Sequence, residues 1–150
     1  MAGYSKRTLL QKLGVKDGQR AAFFAVPEAV SPALQPLPEA VQLLKRLPAG
    51  GADLDFVLQF AKRQRDLAKR LQALVERLDP DGSLWVSWPK KSSPLAAQSD
   101  LDFDAVQQLG LGSGLVDVKI CAVDDDWSGL KFMFRKEDRP ALRRARERRR

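Results

Sequence analysis

The 150-residue sequence predicts an α/β domain, a three-layer sandwich whose mostly parallel sheet is closed by a C-terminal antiparallel hairpin. Two patterns support this prediction. Residues 53–88 have the order strand, long helix, turn and strand, which is the spacing of a right-handed crossover between parallel strands. Residues 115–123 and 129–135 are two candidate strands joined by the short segment DDDWS, and a connection that short makes neighbouring strands antiparallel.

The first third of the chain offers a helix and two strands. Residues 5–13 predict a short helix, and Gly14 is the residue expected at its C-terminal cap. Residues 20–26 predict a buried strand that ends at a proline. Residues 27–34 can form only a short helix, because two further prolines break it, and residues 41–47 are the second strand candidate.

The remaining elements follow in order. Residues 53–60 predict the third strand, and residues 62–78 predict the longest helix, because its leucines fall at helical spacing. Residues 79–82 (DPDG) are a strong turn signal before a strand over residues 83–88. Asp100 is placed to cap a helix that runs to about residue 109, where glycines end it. The basic residues of the long helix are expected to fill much of its other surface: Arg63, Lys69, Arg70 and Arg77.

The composition excludes several kinds of chemistry. The chain has no histidine and one cysteine, so histidine-based nucleophilic catalysis is excluded and a tetrahedral zinc site has almost no ligands. We expect Cys121 to be a buried, unreactive thiol and Trp85 to face the core. No segment approaches the ~18 apolar residues of a membrane span, and the polar N-terminus together with the single cysteine favours a cytoplasmic protein. The sequence identifies no catalytic residue, no cofactor and no metal ligand set.

The positive charge is concentrated at the C-terminus. Residues 139–150 carry six of the seven net positive charges, so we divide the chain into a domain over residues 1–138 and an arginine-rich tail over residues 139–150. The tail has two interpretations: a basic arm that contacts nucleic-acid phosphates, or a solvated helix that binds polyanions indiscriminately. The candidate nucleic-acid residues are Arg143, Arg144, Arg146, Arg148, Arg149 and Arg150.

Three segments carry a resemblance to known proteins: residues 13–18 (LGVKDG), 84–91 (LWVSWPKK) and 118–130 (VKICAVDDDWSGL). With them the chain resembles a family of small bacterial proteins that has no assigned activity. From residue 53 onward it also looks like the C-terminal half of a Rossmann-like S-adenosylmethionine-dependent methyltransferase. This resemblance implies a reduced methyltransferase-like topology.

The sequence departs from working methyltransferases where the cofactor would lie. Such enzymes place a glycine-rich loop after the first strand, so that the backbone can approach the cofactor. Residues 25–29 (AVPEA) contain no glycine, and residues 45 and 46, at the end of the second strand, are basic rather than acidic. Only a short segment separates the second and third strands, so one strand–helix unit of the full fold is expected to be missing. Glu28 could act as a lone acid or base, or as a carboxylate at a helix start.

The carboxyl ends of parallel strands are the usual ligand-binding edge of an open α/β sheet. This edge is expected to collect the candidate ligand residues Trp88, Lys90, Lys91, Asp124, Asp125, Asp126 and Trp127. The lysines could face phosphate while a tryptophan stacks on a base, the aspartates could hold Mg²⁺, or the two charge types could pair with each other.

Three classes of function follow from these features. The first is a non-catalytic Rossmann-like binding or interaction module with an anion or nucleotide site at the carboxyl edge. The second is a nucleic-acid-associated protein that binds through its basic tail. The third is a degenerate S-adenosylmethionine-dependent methyltransferase.

Overall fold

The computed structural model describes residues 7–50 and 52–149 and contains a single mixed sheet within them. The strands are β1 (Arg20–Phe24), β2 (Gln42–Leu44), β3 (Leu54–Phe60), β4 (Leu78–Pro89), β5 (Leu115–Ala122) and β6 (Trp127–Phe134). The α-helices are α1 (Leu9–Leu13), α2 (Gln64–Arg77), α3 (Phe103–Gly112) and α4 (Arg139–Arg149). The strand order across the sheet is β2-β1-β3-β4-β6-β5.

The pairing of the strands confirms the predicted fold class. β1 pairs in parallel with β2 and with β3, and β3 pairs in parallel with β4. β6 lies antiparallel to both β4 and β5, so the C-terminal hairpin closes the sheet as predicted. α2 makes the crossover from β3 to β4. The described residues of the short connection from β2 to β3 contain no helix.

Apolar clusters on the two faces of the sheet produce the three layers. Within β3, Phe56 and Leu58 belong to one cluster while Val57, between them, belongs to the other, as strand alternation requires. We call the cluster under α2 and α3 the first apolar cluster and the cluster under α1 the second. The indole Nε1 of the fully buried Trp85 donates a 2.8 Å hydrogen bond to a backbone carbonyl of α1, which ties that short helix to the sheet.

The Asp-Pro-Asp-Gly segment differs from its prediction. Instead of a free turn it is a bulge inside β4: Leu54 pairs with Leu78, but Phe56 already pairs with Ser83. A Cβ atom on Gly82 would lie 2.9 Å from the Leu78 side chain, which explains a glycine at this position. The turn residues are therefore accommodated within one long strand.

Three other boundaries also differ. The second strand shortens to Gln42–Leu44, which is largely exposed at the sheet edge. Residues 27–34 form only a 3-10 turn over Ser31–Leu34. The first helix begins at Leu9, where Thr8 forms a reciprocal cap with Gln11. The part of that predicted helix at residues 5 and 6 lies outside the described residues.

The predicted tail is a docked helix. Leu142 of α4 packs against the first apolar cluster, and the Arg146 side chain is buried, with the residue only 7% exposed. Its guanidinium donates to the carboxylate of Asp53 and, at 2.7 and 3.0 Å, to the carbonyls of Leu78 and Val75 at the C-terminal end of α2. An arginine-rich composition predicts solvent-exposed residues, but a buried carboxylate and the carbonyls at a helix C-terminus bind arginine. α4 consequently covers the amino-terminal ends of β3 and β4.

Candidate ligand-binding site

A cavity of about 480 Å³ lies at the carboxyl edge of the parallel strands, between the ends of β1 and β3 and the first turns of α2. We call it the carboxyl-edge cavity. Its volume lies within the range of small-molecule sites. It is lined by Ala25, Pro27, Gln59, Phe60, Ala61, Lys62, Asp66, Leu67, Arg70, Leu95 and Trp127. Most of this lining is apolar, and a few polar groups reach into it, which is the usual composition of a ligand pocket.

Two polar side chains of the cavity lining, Gln59 and Arg70, are hydrogen-bonded to each other. The Gln59 amide is buried and donates at 2.9 Å to the carbonyl of Phe60, while its Oε1 accepts a 3.1 Å hydrogen bond from Arg70 Nε. The Arg70 guanidinium carbon also lies 4.5 Å from the centroid of the Phe24 ring, a cation–π contact. These contacts hold a positive charge across the ends of β1 and β3.

An aromatic wall and a short turn complete the cavity. The rings of Trp127 and Phe60 meet edge to face with centroids 5.1 Å apart. Leu95 belongs to the 3-10 turn Pro94–Gln98, and Lys62 is hydrogen-bonded both to this turn and to Ser99, the residue that follows it. The Lys62 ammonium donates to Gln98 at 2.6 Å, and its carbonyl accepts from the Ser99 hydroxyl at 2.7 Å.

The start of α2 is capped from a distant segment. Asp100 accepts a 2.7 Å hydrogen bond from the backbone N–H of Gln64, so it caps α2 and not the helix after it. The prediction for Asp100 was therefore wrong: α3 begins after Asp102, whose carboxylate accepts from Ala105 at 2.8 Å. With one N–H group of its first turn already bonded, α2 contributes to the cavity mainly through the side chains of Asp66, Leu67 and Arg70.

The segment after β1 keeps one backbone feature of a glycine loop without the glycine. Ala25 has a φ of 56°, in the left-handed region that favours glycine. The chain then makes the 3-10 turn Ser31–Leu34, whose Leu34 is buried in the second apolar cluster. Between β1 and β2 the structure has no α-helix whose N-terminus could hold a phosphate.

Of the predicted ligand residues, only Trp127 lines the carboxyl-edge cavity. Trp88 is buried in the first apolar cluster and does not line the cavity. The backbone N–H of Lys90 donates to the carbonyl of Asp126 at 2.8 Å. Lys91 and Asp125 are exposed.

The aspartates of this loop make hydrogen bonds that shape it. Asp124 accepts from the backbone N–H groups of Asp126 and Trp127 at 2.8 and 2.9 Å. Asp126 accepts from the hydroxyl of the buried Ser93 at 2.8 Å. Over residues 7–50 and 52–149 no ion pair joins these aspartates to Lys90 or to its neighbour, and no group of three metal-ligating side chains occurs.

Some of the exposed arginines of the tail also form ion pairs. Arg149 donates to Asp53 at 3.2 Å, and Arg143 bonds the carboxylate of Asp81. Arg144 and Arg148 are exposed. Arg150 lies outside the described residues.

Sequence reasoning missed Gln59 and Arg70. Arg70 was expected on the solvent-exposed surface of the helix, but it reaches back over β1. The available signal was Gln59 itself, a single amide within the apolar run LDFVLQF. A buried polar side chain needs a hydrogen-bond partner, and that requirement points to a charged or polar neighbour at this strand end.

Comparison with solved structures identifies the fold as that of S-adenosylmethionine-dependent methyltransferases. A methyltransferase from Aquifex aeolicus matches with a TM-score of 0.57 and 13% identity over 85% of this chain and 88% of that one. An S-adenosylmethionine-dependent methyltransferase from Clostridium acetobutylicum matches with a TM-score of 0.56 and 7% identity over 82% and 85% of the two chains.

A third similar structure contains a bound ligand. It is the magnesium protoporphyrin IX methyltransferase of Synechocystis with bound SAH, with a TM-score of 0.55 and 10% identity over 85% of this chain and 78% of that one. At these identities the likeness establishes the fold alone. No protein-family model and no curated protein sequence matches the chain. Among the described residues, no helix has the length and apolar character needed to cross a membrane.

Proposed function

We propose that this protein is a non-catalytic binding module that takes a nucleoside- or nucleotide-like small molecule in the carboxyl-edge cavity. The observation that carries the proposal is the cavity itself, which lies at the edge where open α/β sheets bind ligands. A similar structure was solved with bound SAH, an adenosine-containing molecule. We also propose that the protein acts in the cytoplasm.

The lining supports a ligand with a flat ring and an anionic group. Phe60, Leu95 and Trp127 supply an apolar wall against which a base can pack. Arg70 supplies a guanidinium that is already oriented by Gln59, which suits a phosphate or carboxylate. Because these groups are held before binding, little side-chain entropy is lost on association.

Methyl transfer is disfavoured by the segment after β1. A working enzyme brings backbone N–H groups to its cofactor through a glycine-rich loop and the helix that follows it. Here Ala25 and Pro27 occupy the loop, and a 3-10 turn replaces the helix. Pro27 has no backbone N–H to donate. The residues at the cofactor edge therefore fit ligand binding better than turnover.

The test is a ligand panel measured on matched variants. Adenosine, SAH, AMP and ATP are titrated by calorimetry and by thermal shift into the wild type, Arg70→Met and Arg65→Met. Arg65 is an exposed arginine of the same helix that does not line the cavity, so it is the control. We expect Arg70→Met to weaken a phosphate-bearing ligand about tenfold or more, as loss of a charge-assisted hydrogen bond implies. Arg65→Met should bind as the wild type does.

Two results would contradict the proposal. If no member of the panel binds the wild type, the cavity is not a nucleotide site. If S-adenosylmethionine is converted to S-adenosylhomocysteine in the presence of candidate acceptors, the protein is a methyltransferase, which is the alternative function.

A second function, nucleic-acid binding through α4, is supported by the exposed Arg144 and Arg148. The change Arg144→Gln/Arg148→Gln should weaken binding to a duplex oligonucleotide and lower the slope of log affinity against log salt. An unchanged affinity and salt slope would exclude this role for α4.

A further inference from the structure

A second groove, of about 690 Å³, lies near the amino-terminal ends of the strands, on the face covered by α1. Four lysines line it: Lys12 in α1, Lys16 in the following loop, Lys119 in β5 and Lys131 in β6. We call it the lysine groove. It is separate from the carboxyl-edge cavity and shares no lining residue with it.

Two of these lysines are forced together by the sheet. Lys119 and Lys131 are direct partners in the antiparallel pairing of β5 with β6. Like charges placed directly opposite each other in such a pair are destabilising. Burial and the nearby charges of Lys119 and Lys16 lower the pKa of Lys131. The fold thus keeps two lysines opposite each other although one of them, Lys131, is partly buried.

Four aspartates also line the groove, but their carboxylates make other contacts. Asp55 accepts from the backbone N–H of Arg20 at 2.9 Å, and Asp17 accepts from that of Glu39 at 3.1 Å. Asp79 accepts from the backbone of Asp81, whose own carboxylate pairs with arginines of α4. Within residues 7–50 and 52–149, none of the four lysines makes an ion pair with any of them.

We propose that the lysine groove is a binding site for a small molecule that carries a phosphate or pyrophosphate group. Three lysines from α1, β5 and β6 and a fourth from the loop after α1 line one concave surface, and a multiply charged anion is the partner that would relieve the repulsion between Lys119 and Lys131. The groove volume also lies within the range of small-molecule sites.

The experiment uses inorganic pyrophosphate as the probe, at constant ionic strength. Thermal shift and calorimetry are recorded for the wild type, for Lys119→Gln/Lys131→Gln and for the control Lys90→Gln/Lys91→Gln, whose lysines lie outside the groove. At about 100 times Kd, pyrophosphate should raise the Tm of the wild type and of the control by about 5 °C or more.

The groove variant should lose at least about tenfold in affinity. Its Tm without ligand should equal or exceed that of the wild type, because a repulsive pair has been removed. That combination separates lost binding from lost folding.

Several outcomes would overturn the site. One is the absence of a saturable rise in Tm with pyrophosphate in the wild type, and another is a rise in the groove variant equal to that of the wild type. An equal loss of pyrophosphate affinity in the Lys90/Lys91 control would also overturn the site. Binding of a duplex oligonucleotide without binding of pyrophosphate would replace the small-molecule site with a nucleic-acid surface. Arg70 does not line the lysine groove, so Arg70→Met should leave pyrophosphate binding unchanged. The Arg70 variant therefore tests the carboxyl-edge cavity, and the Lys119/Lys131 variant tests the lysine groove, independently of each other.

Discussion

Replacing Arg146 by alanine removes the most buried of the arginine side chains that join α4 to the rest of the domain. Arg146 donates to the buried carboxylate of Asp53 and to two carbonyls at the end of α2. In Arg146→Ala those carbonyls lose the hydrogen bonds from Arg146, and the charge of Asp53, a residue that is 3% exposed, is left less compensated. Both effects destabilise the folded state, because buried polar groups without partners are unfavourable.

The size of the effect follows from what remains around Asp53. Breaking a buried ion pair by removing one partner typically destabilises a protein by about 3–5 kcal/mol. Arg149 and Arg77 still lie 3.2 and 3.9 Å from the carboxylate, so we expect the lower end of that range, about 3 kcal/mol. For a chain of this length that corresponds to a fall in Tm of about 6–12 °C.

The assay is guanidinium unfolding followed by tryptophan fluorescence, with Arg144→Ala as the matched control. Arg144 is exposed on the same helix, so its replacement should change the unfolding free energy by no more than about 0.5 kcal/mol. If Arg146→Ala is as stable as Arg144→Ala, α4 is not held by the Asp53 contact and the docking of this helix is wrong.

Three further predictions concern packing and titration. Gly110→Ala places a Cβ 2.1 Å from a Phe132 ring carbon and should lower the unfolding free energy by about 1–3 kcal/mol or more. The control Gly112→Ala lies in open space at the end of the same helix and should be neutral or stabilising. Equal effects of the two substitutions in denaturant titrations would refute the close approach of Gly110 to Phe132. Burial raises the pKa of the Cys121 thiol, so less of the reactive thiolate is present at pH 8. Alkylation of Cys121 by iodoacetamide at this pH should therefore be slower than alkylation of a cysteine peptide. An equal rate would contradict a raised pKa. Because the pKa of Lys131 is lowered in the folded protein, the unfolded chain binds more protons between that pKa and 10.5, and the free energy of unfolding should rise with pH in this window. Lys131→Met should reduce this rise. If the variant has the same pH–stability curve as the wild type, the shift is contradicted.

The parts of the fold that could be predicted depend on local patterns. The leucine spacing of α2 and the apolar runs of β3 and β4 were sufficient to predict a parallel crossover, because these elements bury one stripe or both faces. The short DDDWS connection was sufficient to predict the hairpin of β5 and β6.

The candidate site depends on contacts between residues far apart in the chain. Lys62 bonds Ser99 and Gln98, and Gln64 bonds Asp100, across 36–37 residues. Arg146 reaches Asp53 across 93 residues. Hydrophobic periodicity does not predict such pairs, because each depends on the burial of two distant segments where they come into contact and not on the local sequence. This is why a run of arginines was interpreted as a tail and not as the surface of a docked helix.

The central claim is that a nucleoside-like ligand enters the carboxyl-edge cavity, and the indole N–H signals in an NMR titration test it most directly. All three tryptophans are buried, but only the Trp127 ring lines the cavity, so Trp85 and Trp88 serve as reference signals. Addition of the tightest ligand of the panel should shift the Trp127 signal saturably. The Trp85 indole, bonded to α1, should remain in place. A ligand that binds while leaving Trp127 unmoved would contradict the account.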